Sequence, residues 1–267
     1  MRFEPREAAE AVNYSKENPI REAVILLAGL ALVGGVTFFS FGWVAEFAIA
    51  RTPPSWEARL FGAFWDEADG EDDSGVQRLV DRLQRHWPDN PYAIRVQVAD
   101  SPDVNAFALP GGLVMVTRGL LDQVESENEL AFVLGHELGH FRHRDHLRIV
   151  GRELASQLAV SVVTGAVGAS VDSLQMLRTV ATRSFGRAQE SEADRFALEL
   201  VFREYGHLGG ATDFFERLPD SGSALAREAA RFLSTHPVSE DRVEELAEFG
   251  RERGWPAEGR LVPLKGR

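Results

Sequence analysis

The hydrophobic pattern of this chain changes period three times. From Ala23 to Ala45 runs AVILLAGLALVGGVTFFSFGWVA, a stretch without one charged side chain. It is long enough to cross a hydrocarbon layer of about 30 Å at about 1.5 Å of rise per helical residue. Arg21 and Glu22 bound it on one side and Glu46, Arg51 and Pro53-Pro54 on the other, with Trp43 where an interfacial aromatic sits. The pattern predicts one transmembrane anchor over 23–45, between a polar N-terminal segment (1–22) and a single domain (53–267). A signal peptide fits less well, because its apolar stretch spans about 7 to 15 residues and follows a basic start. Arg2, Arg6, Lys16 and Arg21 precede the span, against Arg51 and Arg59 after it. That bias predicts a single-pass cell-membrane protein with a cytoplasmic N-terminus and an extracytoplasmic domain.

Beyond the anchor, Trp56, Leu60, Phe61 and Phe64 suit an amphipathic helix lying on the bilayer or an ordinary core helix. The acidic run from Asp66 to Asp73 lacks the ligand spacing of a calcium-binding loop and reads as a solvated loop. Val76, Leu79, Val80 and Leu83 follow helical spacing up to Trp87-Pro88, after which Ile94, Val96 and Val98 alternate with polar residues as in a strand. Asn105 to Leu109 and Leu113 to Thr117, joined by Pro110-Gly111-Gly112, predict a hairpin, and hence a small antiparallel sheet ahead of the helices. Ser126 with Glu129 forms a capping-box pattern that starts a helix near Glu127. With no Pro to stop it, that helix is expected to run past Leu147. Gln157 to Val171 is apolar but short for a second span, which favours a buried helix over a membrane-dipping hairpin. A further helix ends at Gly206, and two short ones follow, over 223–233 and 240–253, the second capped by Ser239.

Composition narrows the chemistry. The 267 residues are 44% hydrophobic, enough for one core, and the net charge of -12 argues against a nucleic-acid partner, whose phosphates need clustered Lys and Arg. The chain has no cysteine, so a bound metal has to be held by His and carboxylates. His136-Glu137-Leu138-Gly139-His140 places two imidazoles one helical turn apart, able to share one zinc ion, with Glu137 beside the open position. A catalytic zinc needs a third protein ligand and a water. Glu190 is the favoured candidate: it shares a helix face with Asp194, which can accept the free ring N–H of a ligating His. His146 and Glu192 are the alternatives; His146 lies about 15 Å of rise from His136 if the helix is continuous.

Four blocks carry a resemblance to the HtpX-like and CAAX-prenyl-protease-like membrane zinc endopeptidases, within the gluzincins. They are NAFALPGG (105–112), GHELGH (135–140), ESEAD (190–194) and STHPVSEDRVEEL (234–246). The resemblance implies His136, His140 and Glu190 as zinc ligands and Glu137 as catalytic base. It also points to His236 as an oxyanion donor; Arg242 is a second candidate, and either residue is equally compatible with a local structural contact. This chain departs from the larger relatives in showing one clear N-terminal span.

The fold expected is α+β, a mainly helical zincin-like domain with a small antiparallel sheet, behind one transmembrane helix. The activity expected is peptide-bond hydrolysis by a zinc-activated water, with Glu137 as general base, on protein or peptide substrates near the membrane. The anchor's partner is membrane lipid. Asn105 to Leu109 or its hairpin partner can present a strand edge to substrate, unless the hairpin is fully paired. The rival reading is a membrane-tethered chaperone-like or binding module with a structural or autoinhibited zinc site, its fourth position closed by His236.

Overall fold

A computed structural model describes residues 18–65, 70–164, 182, 184–218 and 229–264. Helix α1, Pro19–Arg51, contains the predicted span and extends it at both ends. Asn18 caps it by accepting from the Ile20 N–H at 3.0 Å, Pro19 occupies the first turn where its missing N–H costs nothing, and Thr52-Pro53 ends it. Its apolar side chains face outward, with Leu32, Phe39 and Trp43 each more than two-thirds exposed. Helix α2, Pro54–Trp65, follows directly.

The acidic run is only partly a loop. Residues 66–69 lie outside the described residues, but Glu71–Asp72 form a short exposed edge strand, β1, and Asp73 caps α3, Ser74–Gln84, by accepting from the N–H groups of Gly75 and Val76. Strands β2 (Arg95–Ala99), β3 (Ala106–Leu109) and β4 (Leu113–Thr117) complete a sheet of order β1-β2-β4-β3. The hairpin β3–β4 is antiparallel as expected, with Ala106 opposite Val116, but β2 runs parallel to β4, so the sheet is mixed. The reason is burial: every residue of β4 is covered, so this most apolar strand takes the centre and β3 is carried to the edge.

After α4, Arg118–Gln123, helix α5 runs from Glu127 to His143 through the centre of the domain, with Phe132, Leu134, Leu138 and Phe141 fully buried. Ser126 caps it as predicted, accepting from the Glu129 N–H at 3.2 Å, while the Glu129 carboxylate reaches back one residue further, to the Glu125 N–H. The helix does not continue past Leu147. Arg144 adopts a left-handed conformation (φ 59°), and a new helix, α6, Asp145–Thr164, leaves in another direction. Such a conformation costs an L-residue about 1–2 kcal/mol, so something must hold it. The Arg144 guanidinium donates to the carbonyls of Ile49 and Thr52, at 2.6 and 2.7 Å, and pairs with Glu57 of α2. Glu57 is buried at 1% exposure and also accepts from His146 Nε2 (2.7 Å), the Gly111 N–H (2.9 Å) and Tyr92 OH (3.2 Å). Burial opposes its ionisation, but His146, Gly111 and Arg144 together hold its carboxyl below the usual range.

Within 157–171 the helix is described through Thr164, with 165–171 outside the described residues, and the expected burial is found only at Ala159 among the side chains described: Leu158 and Val160 are 43% and 57% exposed. Helix α7, Arg187–Tyr205, ends at the left-handed Gly206 as predicted and packs along α5. A short α8 (Asp213–Arg217) had no counterpart in the sequence pattern. Of the helix expected over 223–233, residues 223–228 fall outside the described residues and α9 covers Ala230–Thr235. The last helix, α10, is Glu240–Glu252, with the Ser239 hydroxyl accepting from the Arg242 N–H.

Glu57→Ala strips three donors and a guanidinium of their buried acceptor, a loss of about 3–5 kcal/mol. Thermal unfolding followed by circular dichroism is expected to fall by roughly 10 °C.

Candidate metal centre

The two helices that carry the chemistry touch because neither has a side chain in the way. A Cβ on Gly139 would lie 2.6 Å from Ala193 Cα, and one on Gly135 would lie 3.1 Å from Ala197 Cα. Backbone therefore meets backbone at the level of His136, His140 and Glu190. Four residues converge there: His136, His140, Glu190 and His236 each offer one donor atom, all within 4.8 Å of one another. His136 Nε2 lies 3.1 Å from His140 Nε2 and 3.7 Å from Glu190 Oε2; His140 Nε2 is 3.5 Å from Glu190 Oε1. His236, from the end of α9, lies across the group, its Nδ1 3.1 Å from both Glu190 Oε1 and His136 Nε2.

The outward-facing ring nitrogens decide what the inward ones are. His136 Nδ1 donates to Asp194 Oδ1 at 2.8 Å and His140 Nδ1 donates to Asp145 Oδ2 at 3.0 Å. In the neutral imidazoles this leaves lone pairs on both Nε2 atoms, aimed at each other and at a carboxylate. Such a set repels itself unless a cation lies between its members. Glu137 Oε1 and His236 Nε2 are also buried without a hydrogen-bond partner, 3.7 Å apart. Two imidazoles, a carboxylate and no thiolate, at these separations, fit a zinc ion with ligands at about 2.0–2.2 Å.

Electrostatics agree. Burial disfavours a charge on His140, yet the Asp145 and Glu190 carboxylates outweigh it and push the ring up to about 9; at His136 burial wins and its pKa falls. Glu190 is held far below the ordinary carboxylate range despite its burial, by His236, His136 and His140. The surrounding carboxylates thus favour a cation at His140, while burial disfavours one on His136. Asp194 is likewise kept ionised against burial, chiefly by Arg242, whose Nε and Nη2 grip both its oxygens at 2.5 and 2.7 Å.

Several sequence expectations change in detail. Asp194 orients His136, but the matching partner of His140, Asp145, had not been singled out, because on an uninterrupted helix a residue five positions on faces away. The left-handed Arg144 turns it back, and Gln189 Nε2 and Arg148 Nη1 hold its other oxygen. Arg242 donates to Asp194 and to the Pro237 carbonyl, and its Nη1 lies 2.7 Å from Glu190 Oε2 as an ion pair without hydrogen-bond alignment; these contacts place it behind the donors. His146 turns away to Glu57, Glu192 is exposed, and His143 sits half-buried 3.9 Å from Glu192. His86 and His207 are half-buried, the first paired with Glu204 and the second accepting from the Gly209 N–H. Phe185, also unforeseen, stacks on His140 with ring centroids 3.8 Å apart. Beside Glu190 opens a cleft of about 270 Å³, walled by Phe185, Pro237, Ser239 and Arg242.

A buried His pair on one helix with a carboxylate from a second, and a further carboxylate beside them, is a donor set of the metallohydrolase kind. Comparison with known proteins places it. The family model described as peptidase family M48 matches residues 69–249, and the chain belongs to that family, whose peptidases use zinc. The mitochondrial metalloendopeptidase OMA1 of Schizosaccharomyces pombe is 33% identical over 179 residues, covering 65% of this chain and 52% of that one. The putative beta-barrel assembly-enhancing protease of Vibrio cholerae is 29% identical over 161 residues (56% and 33%), and metalloprotease LoiP of Escherichia coli 28% over 163 residues (59% and 63%). The chain spans between about a third and two-thirds of the length of these relatives.

Two substitutions probe the frame around the donors. Gly139→Ala drives a methyl group into α7 and is expected to cost about 1–3 kcal/mol and to lower zinc occupancy, read by metal analysis of the purified chain. Asp145→Ala, which frees His140 Nδ1, is expected to weaken zinc binding about 10–100-fold in chelator competition.

Proposed function

We propose that this chain is a membrane-anchored zinc metalloendopeptidase in which His136, His140 and Glu190 hold the ion and Glu137 is the general base. The observation that supports it most is the convergence of the four donor residues around one point, with an unpartnered Glu137 oxygen beside them. Held by His136, His140 and Glu190, zinc would supply Lewis acidity toward a carbonyl and a water. Glu137, whose buried Oε1 has no hydrogen-bond partner, is placed to take a proton from the attacking water and to return it to the leaving amine. Asp194 and Asp145 keep the two imidazoles in the tautomer that presents Nε2, and Arg242 keeps Asp194 ionised. Protein or peptide substrates are read as an added strand: β4 is paired on both sides, so β3 is the member of the hairpin with an edge unpaired by any strand among the described residues. Helix α1 supplies the crossing of the membrane, and the basic excess before it favours a cytoplasmic N-terminus and an extracytoplasmic site. The net charge of -12 speaks against a nucleic-acid partner.

A second reading, a site kept shut, draws on the position of His236. The donors and Glu137 are each 3% exposed or less, and the His236 ring occupies the side of the group where a fourth ligand or a substrate carbonyl belongs. His236→Ala separates the roles. As a closing ligand, its loss raises cleavage of casein; as a donor to the oxyanion, its loss lowers kcat about 10²–10³-fold.

Glu137→Gln is expected to retain zinc and lose about 10²–10⁴-fold in casein cleavage. Equal cleavage by variant and parent would remove Glu137 from the mechanism. Glu190→Ala is expected to lose most of the bound metal; unchanged zinc stoichiometry would leave the third ligand elsewhere.

A further inference from the structure

Among the described residues, every strongly exposed large apolar side chain except Leu261 lies on α1, α2 or α6. On α2, Trp56 and Leu60 are each 58% exposed and one turn apart, whereas Glu57 between them in sequence is buried. On α6 the first half belongs to the domain, with Ile149 and Val150 packed against Leu109, Leu113 and Met115 of the sheet. Helix α6 also packs along α1.

The register of that pairing is set by polar contacts. Arg144 reaches the carbonyls of Ile49 and Thr52, and Arg148 Nε pairs with Glu46 Oε2 at 3.2 Å. Higher numbers on α6 meet lower numbers on α1, so the helices are antiparallel. From Arg148 to Thr164 the rise is about 24 Å, which brings Thr164 level with about residue 30 of α1, inside the uncharged span. From Leu154 to Thr164 α6 carries no charge. From Gly151 onward the buried positions, among the side chains described, are Gly151, Ala155 and Ala159, four residues apart, as in helices that pack closely within lipid.

We propose that the C-terminal half of α6 is embedded in the hydrocarbon of the bilayer beside α1, with α2 lying in the headgroup layer. The proposal rests on the reading of α1 as a membrane anchor: if α1 crosses, a helix fixed along it to the depth of residue 30 goes in with it. The Arg148–Glu46 pair then marks the entry level, and Trp56 and Leu60 face lipid at the same surface. Asp145, the first residue of α6, holds His140. The metal centre is therefore set against the membrane face, and the polypeptide segments it takes are those emerging from, or lying on, that face.

The absence of cysteine makes a direct test available. Full-length chain with a single cysteine (Leu158→Cys, Val160→Cys, Leu32→Cys or Glu252→Cys) is labelled with bimane and reconstituted in phosphatidylcholine vesicles containing acyl-brominated lipid. The expected result is a loss of roughly half of the emission or more at 32, 158 and 160, and little at 252. Quenching at 32 without quenching at 158 and 160 would overturn the proposal and leave the anchor standing; no quenching at 32 would sink both. Where lipid does not quench 158 and 160, aqueous iodide tells water from a covering by protein, and either result refutes the embedding.

Discussion

The contact on which the rest depends is the bare approach of α5 to α7 at Gly139 and Ala193. Donor atoms on two helices share an ion only when the backbones come closer than ordinary side chains allow, and here one helix contributes glycine and the other alanine at each level. Bulky rings pack elsewhere around the donors, with Phe215 against His136 and Phe232 against His236. The close approach explains why the carboxylates and Arg242 are arranged in layers. Once three imidazoles, four carboxylates and a guanidinium have been drawn into one dry volume, each must have a charged or hydrogen-bonded neighbour, or its desolvation would unfold the pair.

A second constraint acts at right angles to the first. The left-handed Arg144 ends the metal-binding helix, and its guanidinium, together with Glu57, joins that end to the junction between α1 and α2. The same corner aims Asp145 at His140 and starts α6 toward α1. One residue in a costly conformation thus serves three neighbours. A displacement of α1 relative to the domain would be felt first by Asp145 and then by the imidazole it orients, through two hydrogen bonds and no flexible linker.

Much of this was legible in the amino-acid pattern, for reasons that can be named. His136, Glu137, His140, Glu190 and Asp194 sit on periodic helices, where spacing alone puts them on one face, and Ser126 and Ser239 announce their helices by local chemistry. The hairpin was visible in Pro110-Gly111-Gly112. What escaped depends on partners distant in sequence. Arg144 is not a glycine, so nothing local signals a left-handed residue; its support comes from residues about ninety positions earlier. Asp145, Phe185 and the Glu57 cluster follow from that turn and were invisible for the same reason. The parallel pairing of β2 with β4 is likewise a matter of which strand the core prefers in the middle, a competition that adjacent positions do not record.

The placement of β3 at the rim of the sheet has a consequence for what such an enzyme can recognise. A rim strand offers main-chain N–H and C=O groups, which every polypeptide possesses, so the guest is sorted by shape before it is sorted by side chain. A helix or a strand already paired at home has no groups to spare. If substrates dock on β3 as proposed, selection of this kind would spare intact neighbours and fall on chains that have come undone.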